Sequence, residues 1–495
     1  MKLLPFGSVA VLLWSSFSSL SAADWFLTIG GGYAPSGNQV SLERNIVFYQ
    51  RVLRHAGHEA SPHTLLFADG DKPGRDVQFE AGLDSVPKAN RYMARLFGSE
   101  NYLDLAYRDH QLEQVAGESS EANIERWFKD TGSRLKPGDR VILYAAAHGG
   151  MSTDKENAYD TKLYLWNNQA LQARRLADLI HGLPGDVSVV LIMAQCYSGG
   201  FSHVIFNEAN AGKGDQPRSV CGFYATIHTR TAAGCTPEIN EENYEEFSSH
   251  FWAAMLGESR TGKAVESCDF DGDGQVSFEE AHAHTILSAE TIDIPLKTSE
   301  AFLVARSRFQ DKDNLFFMPR NEPYSKVIST ARPADRAVLE KLSERLGLEG
   351  EDRHSAATKA AAGIEKKRKD LQDEGKKKKG PVRQAKNAIR DQLRSRWPEL
   401  ANVLTVQSTH LLTDEANAFV EAIEAHPGFD EWGRLEAELE KIEDERFLLE
   451  KQWILHQRFI RTLEHVILAA NLELSDDGGA KKRLEEILKA ESGTL

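Results

Sequence analysis

Two residues in this chain have the types needed for nucleophilic acyl chemistry, the thiol of Cys196 and the imidazole of His148, and each closes an apolar run. The run Val189-Val190-Leu191-Ile192-Met193-Ala194-Gln195 leads into Cys196-Tyr197-Ser198-Gly199-Gly200, and Val141-Ile142-Leu143-Tyr144-Ala145-Ala146-Ala147 leads into His148-Gly149-Gly150. A neutral thiol attacks carbonyls poorly, whereas one beside an imidazole can lose its proton to the ring, which later returns it to a leaving amine. Gly149 has no side chain to obstruct a substrate, and its N–H, with that of Cys196, would face a developing oxyanion. Singly, a Cys or a His after an apolar run is more often core than catalytic. Their pairing at two run ends, each followed by small residues, points to a cysteine hydrolase.

A second chemistry lies in Asp269-Phe270-Asp271-Gly272-Asp273-Gly274-Gln275-Val276-Ser277-Phe278-Glu279-Glu280. Acids at loop positions 1, 3 and 5, Gly at 6, an apolar residue at 8 and Glu at 12 match the EF-hand calcium loop. Asp269, Asp271 and Asp273 would supply carboxylates to Ca2+, Gln275 its backbone carbonyl, Ser277 a direct or water-mediated oxygen, and Glu280 a bidentate carboxylate. One copy alone reads as a structural clamp. His282 and His284 sit at i and i+2 of the following helix, do not share a face, and are expected at the surface.

To meet across 47 intervening residues, His148 and Cys196 must end neighbouring parallel strands, roughly 5 Å apart, whose carboxyl ends open on one crevice. Strand patterns at 26–29, 63–67, 141–147, 187–195 and 220–227 alternate with helical ones at 40–55 and 169–182, and Gly30-Gly31-Gly32 reads as a turn. This predicts an α/β fold, a mostly parallel sheet flanked by helices. Neither a dinucleotide glycine fingerprint nor a phosphate-binding P-loop is present.

These blocks resemble the caspase-hemoglobinase group of cysteine peptidases, and within it the legumain-like branch. The resemblance rests on His148-Gly149-Gly150, on Ala194 to Gly200 and on Phe223-Tyr224-Ala225-Thr226-Ile227. Thr231-Ala232-Ala233-Gly234 and Glu246 to Trp252 support it, so that it spans residues 24 to 260. It implies a dyad of His148 and Cys196 with Gly149 assisting the oxyanion, and it places Glu246 where the family has a substrate-pocket acid. The family pairs that acid with an Arg just after the first strand. Here Ser36-Gly37-Asn38-Gln39-Val40-Ser41 offers none, and Arg44 is out of register. An acid without its Arg would favour a Lys or Arg substrate side chain. The family also implies a helical C-terminal segment that covers the site until removed.

Residues 1–23 read as a signal peptide: Met1-Lys2, an apolar stretch through Leu12-Leu13-Trp14, then Ser21-Ala22-Ala23. That predicts export to the periplasm or the extracellular space, and no later stretch is long enough to span a membrane. With Cys196 kept as a thiol, Cys221, Cys235 and Cys268 allow one disulfide and an odd thiol, or no bridge. The formal net charge of -15 argues against nucleic-acid partners. The domain expectation is a peptidase unit at 24–262, a calcium-loop segment at 263–320 and an all-α C-terminal domain at 321–495. Within the last, the basic stretch 365–390 reads as a solvated, mobile linker open to self-cleavage, and apolar residues from Leu435 to Leu463 read as a long amphipathic helix. The sequence thus predicts an exported cysteine endopeptidase acting on peptides or proteins, with a non-catalytic calcium-binding interaction protein or a transpeptidase as alternatives.

Overall fold

Burial along the strands alternates between two apolar cores, one on each face of a sheet, which is what a strand covered on both sides requires. The computed structural model describes residues 22–495, so that all but the end of the 1–23 signal segment lies outside the described residues. Its strands are β1 (Asp24–Gly31), β2 (His63–Phe67), β3 (Val77–Glu80), β4 (Leu105–Arg108), β5 (Val115–Gly117), β6 (Arg140–Ala147), β7 (Gly149–Gly150), β8 (Lys162–Leu165), β9 (Gln169–Gln172), β10 (Ser188–Met193), β11 (Val220–Tyr224) and β12 (Leu296–Lys297). The α-helices are α1 (Val40–His55), α2 (Lys88–Phe97), α3 (Glu121–Asp130), α4 (Ala173–His181), α5 (Phe247–Leu256), α6 (Phe278–Ser288), α7 (Thr298–Arg306), α8 (Tyr324–Thr330), α9 (Pro333–Leu346), α10 (Arg353–Arg396), α11 (Ala416–Glu424), α12 (Phe429–Leu474) and α13 (Gly478–Glu491).

Seven strands form the main sheet in the order β12-β11-β10-β6-β1-β2-β5, all parallel except the edge strand β12. On one face Leu27, Leu143 and Leu191 pack with α3, α4, α7 and the C-terminal helices; on the other Phe26, Tyr144 and Ile192 pack with α1, α5 and α6. The α/β expectation therefore holds, with two local differences. Residues 169–172 are strand, because Gln169-Ala170-Leu171-Gln172 alternates with period 2 and pairs with β8, and the helix starts only at Ala173. The later strands are shorter than expected, ending at Met193 and Tyr224.

The basic stretch 365–390 is not a linker. It lies within the 44-residue helix α10, with Pro381 inside it, and its cations meet the acids of α12: Arg368 with Glu450 at 3.0 Å and Lys379 with Glu443 at 3.5 Å, besides Lys378 with Glu438 at 2.5 Å. Charge pairing along a facing helix thus orders a segment whose composition alone reads as mobile. α10, α11 and the first half of α12 form a helical arm.

The end of α12 and α13 are built into the sheet's own core, while α8, α9 and the preceding turns of α12 form a separate apolar cluster with α6. Leu468 and Leu472 of α12 and Leu484 and Ile487 of α13 join the cluster that covers β6 and β10. Arg140 at the start of β6 donates to the Thr494 carbonyl at 2.7 Å, and Phe278 N–H donates to the Gly493 carbonyl at 2.9 Å. Arg458 of α12 is 2% exposed, and its guanidinium donates to the carbonyls of Ile286, Ala289 and Asp293 at 2.7 to 2.9 Å. Buried carbonyls need donors, and here α12 supplies them to the end of α6 and to the loop ahead of β12.

Candidate active site

β6 and β10 are adjacent and parallel, with Ala145 opposite Met193. His148 follows the end of β6 and Cys196 lies three residues past the end of β10, both at the carboxyl edge where open sheets place their functional groups. Past Met193 the chain leaves the sheet: Tyr197 adopts a left-handed conformation, φ 58°, and the turn Ser198–Ile205 follows. A non-glycine residue held there stores strain, fixed in this case by Tyr197 N–H donating to the Arg230 carbonyl at 2.8 Å.

His148 is oriented by the loop after β1. Its Nε2 lies 2.8 Å from the Gly37 carbonyl and 2.9 Å from Gln39 Oε1. Both are acceptors, so Nε2 carries the proton and Nδ1 keeps its lone pair. Tyr33 packs edge-on against the ring at 5.4 Å. Burial depresses the proton affinity of His148 below the usual imidazole value. The Gly37–Gln39 loop is itself held by Asn38, which accepts from Gly32 N–H at 3.0 Å and donates to buried Asp76 at 3.2 Å.

Cys196 is half-buried, and its Sγ accepts from Ala232 N–H at 3.3 Å. Burial raises the thiol's pKa, the Ala232 N–H opposes this, and the negative charge of Asp293 adds to the rise. Burial thus acts on both groups against their charged forms. Gly149 lies directly against this turn, where a Cβ would fall 2.0 Å from the Cys196 carbonyl oxygen. His148 and Tyr164 form a hydrogen-bonded pair of the β7–β8 ladder, through Tyr164 N–H to His148 O at 2.9 Å. Gly149, one residue on, is therefore a non-bonded position whose N–H points away from β8.

Glu246 does not stand as a free pocket acid. It precedes α5, is 3% exposed, and accepts from Arg260 Nη2 at 2.9 Å. The Arg missing from the early stretch arrives from beyond α5, while Arg44 pairs with Glu241 at 3.7 Å. A neutralised Glu246 removes the reason to expect a basic substrate side chain on its account.

Asp293 escaped the sequence reading. It is 1% exposed; Oδ1 accepts from Ala233 N–H at 2.7 Å while Oδ2 has no protein partner. Burial pushes it up to about 7. It holds the Ala232–Ala233 loop against Cys196, and an acid in an apolar run far downstream gives no sequence signal of that role. Gly37 and Gln39, the partners of His148, were equally illegible, because one acts through its backbone carbonyl.

In the calcium loop one oxygen from each of Asp269, Asp271 and Asp273 lies within 4.8 Å of the others. Gly272 and Gly274 take φ of 79° and 88°, as the sharp turn requires. These hard oxygen donors fit a hard divalent cation. Two features depart from an EF-hand. Residues 265–269 are non-helical, so no entering helix abuts the loop. Glu280 caps α6, accepting from the N–H groups of Phe270, Asp271 and Ser277 and from Ser277 Oγ at 2.6 to 3.2 Å. His282, expected at the surface, is 2% exposed against the Phe223 ring, because α6 packs on the sheet. Burial pushes it down to about 3. All four cysteines are free thiols.

No family model and no curated protein matches this chain. Among solved structures 17 chains match. One of them, protein GSU0716 from Geobacter sulfurreducens, is 11% identical over 56% of this chain and 92% of its own, with a TM-score of 0.31, a likeness that carries no argument.

Proposed function

We propose that the protein is an exported cysteine endopeptidase of the caspase-hemoglobinase type, legumain-like, with Cys196 as nucleophile and His148 as acid and base. The observation that carries this reading is the tautomer of His148: with Nε2–H committed to Gly37, Nδ1 is the basic atom, on the residue before the Gly149 that lies against Cys196. As Sγ attacks the peptide carbonyl, Nδ1 takes the thiol proton, and the N–H groups of Gly149 and Cys196 meet the oxyanion. The imidazolium then protonates the leaving amine, giving an acyl-enzyme and the first product. Water, deprotonated by Nδ1, releases the second product and restores the thiol. Glu246, paired with Arg260, forms part of the wall beyond Gly234.

Asp269, Asp271 and Asp273 hold Ca2+ in this reading, with Gln275 and Ser277 completing the oxygens and Glu280 joining on leaving its cap. Its role is structural, bracing the start of α6. Calorimetric titration tests it: Asp271→Asn lowers calcium affinity at least tenfold, and unchanged affinity refutes the site.

The deciding experiment is labelling of the mature protein with acyloxymethyl ketone probes carrying Lys, Asn or Asp, read by mass spectrometry with and without calcium. Labelling at Cys196 that disappears in His148→Ala supports an activated thiol. The second reading, a non-catalytic calcium-binding scaffold, is favoured by the raised pKa of Cys196. Absence of labelling by every probe selects it.

A further inference from the structure

The arm stands on two feet, and a circuit of contacts can be followed from one to the other through the loop that touches the Cys196 thiol. Ala232 N–H meets Cys196 Sγ at 3.3 Å, and five residues on, the Pro237 carbonyl accepts from Glu80 N–H at 2.7 Å, joining this loop to β3. β3 pairs with β4, and α2 lies between them in sequence. The far end of the arm shares an apolar cluster with α2, in which Tyr92, Met93 and Leu96 pack with Trp397, Phe419 and Trp432. Tyr92 also donates to Glu424 at 2.7 Å, and Arg95 pairs with Glu436 at 2.5 Å. α12 then runs back until Glu450 pairs with Arg230 at 2.5 Å, two residues ahead of Ala232. The base partner Gln39 reaches the same circuit through Gln78 of β3 at 3.4 Å.

Among the described residues, no ion pair or hydrogen bond ties the stretch of α12 between Glu436 and Glu450 to α2 or to the catalytic loops. Fourteen residues at 1.5 Å each make that stretch about 21 Å long, and none of residues 437–449 is buried. An extended chain with its side chains is about 10 Å thick, and a small domain is about 30 Å across. Phe447 and Leu448, 44% and 58% exposed, put apolar surface on the span near its Glu450 foot.

We propose that the arm, α2 and the Ala232 loop form a closed frame that admits substrate as a single extended chain threaded from a free end, so that the substrates are unfolded polypeptide tails. The proposal rests on the peptidase reading. It makes the arm a permanent part of the working enzyme, with substrate passing beneath it.

The test uses the full mature chain and a peptide sequence that it cleaves. That sequence is placed in a disordered tail after one stable domain, and in a linker of about 12 residues, at most about 40 Å long, between two stable domains. A protease with an open cleft cuts both and serves as the control. The frame predicts that the tail is cut within threefold of the free peptide and the capped linker at least tenfold more slowly. Arg95→Glu with Trp432→Ala, which frees the α2 foot, brings the linker up to the tail rate and leaves the free peptide unchanged. Equal cutting of tail and linker by the wild type overturns the frame while leaving the peptidase intact, and this measurement decides the matter even if the variant does not fold. Failure to cut the peptide together with an unlabelled Cys196 overturns the peptidase reading instead.

Discussion

Gly149→Ala is the most demanding substitution to place on the site. The added Cβ would lie 2.0 Å from the Cys196 carbonyl oxygen, 2.7 Å from Gln195 Cγ and 3.0 Å from the Cys196 carbonyl carbon. Ordinary contact begins near 3.4 Å, so β7 and the nucleophile turn must part by more than 1 Å. The Cys196 backbone cannot swing aside as a long side chain would, because Tyr197 N–H is tied to Arg230 and Sγ to Ala232 N–H. A displacement of about 1 Å between reacting groups costs about 100-fold in rate, or about 2.7 kcal/mol of transition-state stabilisation. Second-order rate constants for labelling of Cys196, and kcat/KM on a cleaved peptide, should therefore fall about 100-fold. Gly74→Ala, where a Cβ meets nothing within 4 Å, should leave both unchanged and controls for handling. A melting temperature read in parallel separates misplacement from unfolding. Labelling at the wild-type rate in a folded Gly149→Ala protein would refute the placement of Gly149 against the nucleophile turn, and with it the assignment of the oxyanion donors.

Three further outcomes follow from the buried polar groups. Arg458→Ala strands the carbonyls of Ile286, Ala289 and Asp293; at about 1–3 kcal/mol for each buried unpaired group, partly relieved by water, it should cost about 3–5 kcal/mol in urea denaturation. Because burial lowers the proton affinity of His148, the acid limb of Cys196 inactivation should have its midpoint below the ordinary imidazole value of about 6.5, and a midpoint above it refutes this. Glu491, 0% exposed, is pushed up to about 7, chiefly by burial. The folded chain then holds a proton that the unfolded chain releases above about 4.5, so this group makes stability rise as pH falls from about 7 towards 4.5. Its contribution is on the order of 3 kcal/mol, and Glu491→Gln should flatten that slope in denaturation measured at pH 5 and pH 8.

What the sequence made legible was the local chemistry of strand ends. Apolar runs closing on His148 and Cys196 imply adjacent parallel strands, and the sheet has β6 and β10 side by side and parallel. Illegible were the contributions that arrive through space. Arg260 neutralises Glu246 from 14 residues away, Asp293 fixes the Cys196 loop from 97 residues away, and neither carries a periodic or motif signal. The lysine run of α10 misled for a related reason: its order depends on acids some 60 residues later in α12, which composition weighs as a separate segment. His282 misled because a helix opening beside an exposed acidic loop turns its next residues onto the sheet.

The seating of α13 against β6 and β10 also sets a timetable for biosynthesis. When the ribosome has made the nucleophile strand, the apolar face it shares with Leu484 and Ile487 has no cover, and Arg140 has no Thr494 carbonyl to meet. The last strand of the sheet, β12, comes about a hundred residues later, but its cover from α13 is in place only after nearly three hundred more residues have emerged. A chain made only as far as Cys196 carries both residues without the packing that covers their strands, so on the peptidase reading the site forms only once α13 has been made.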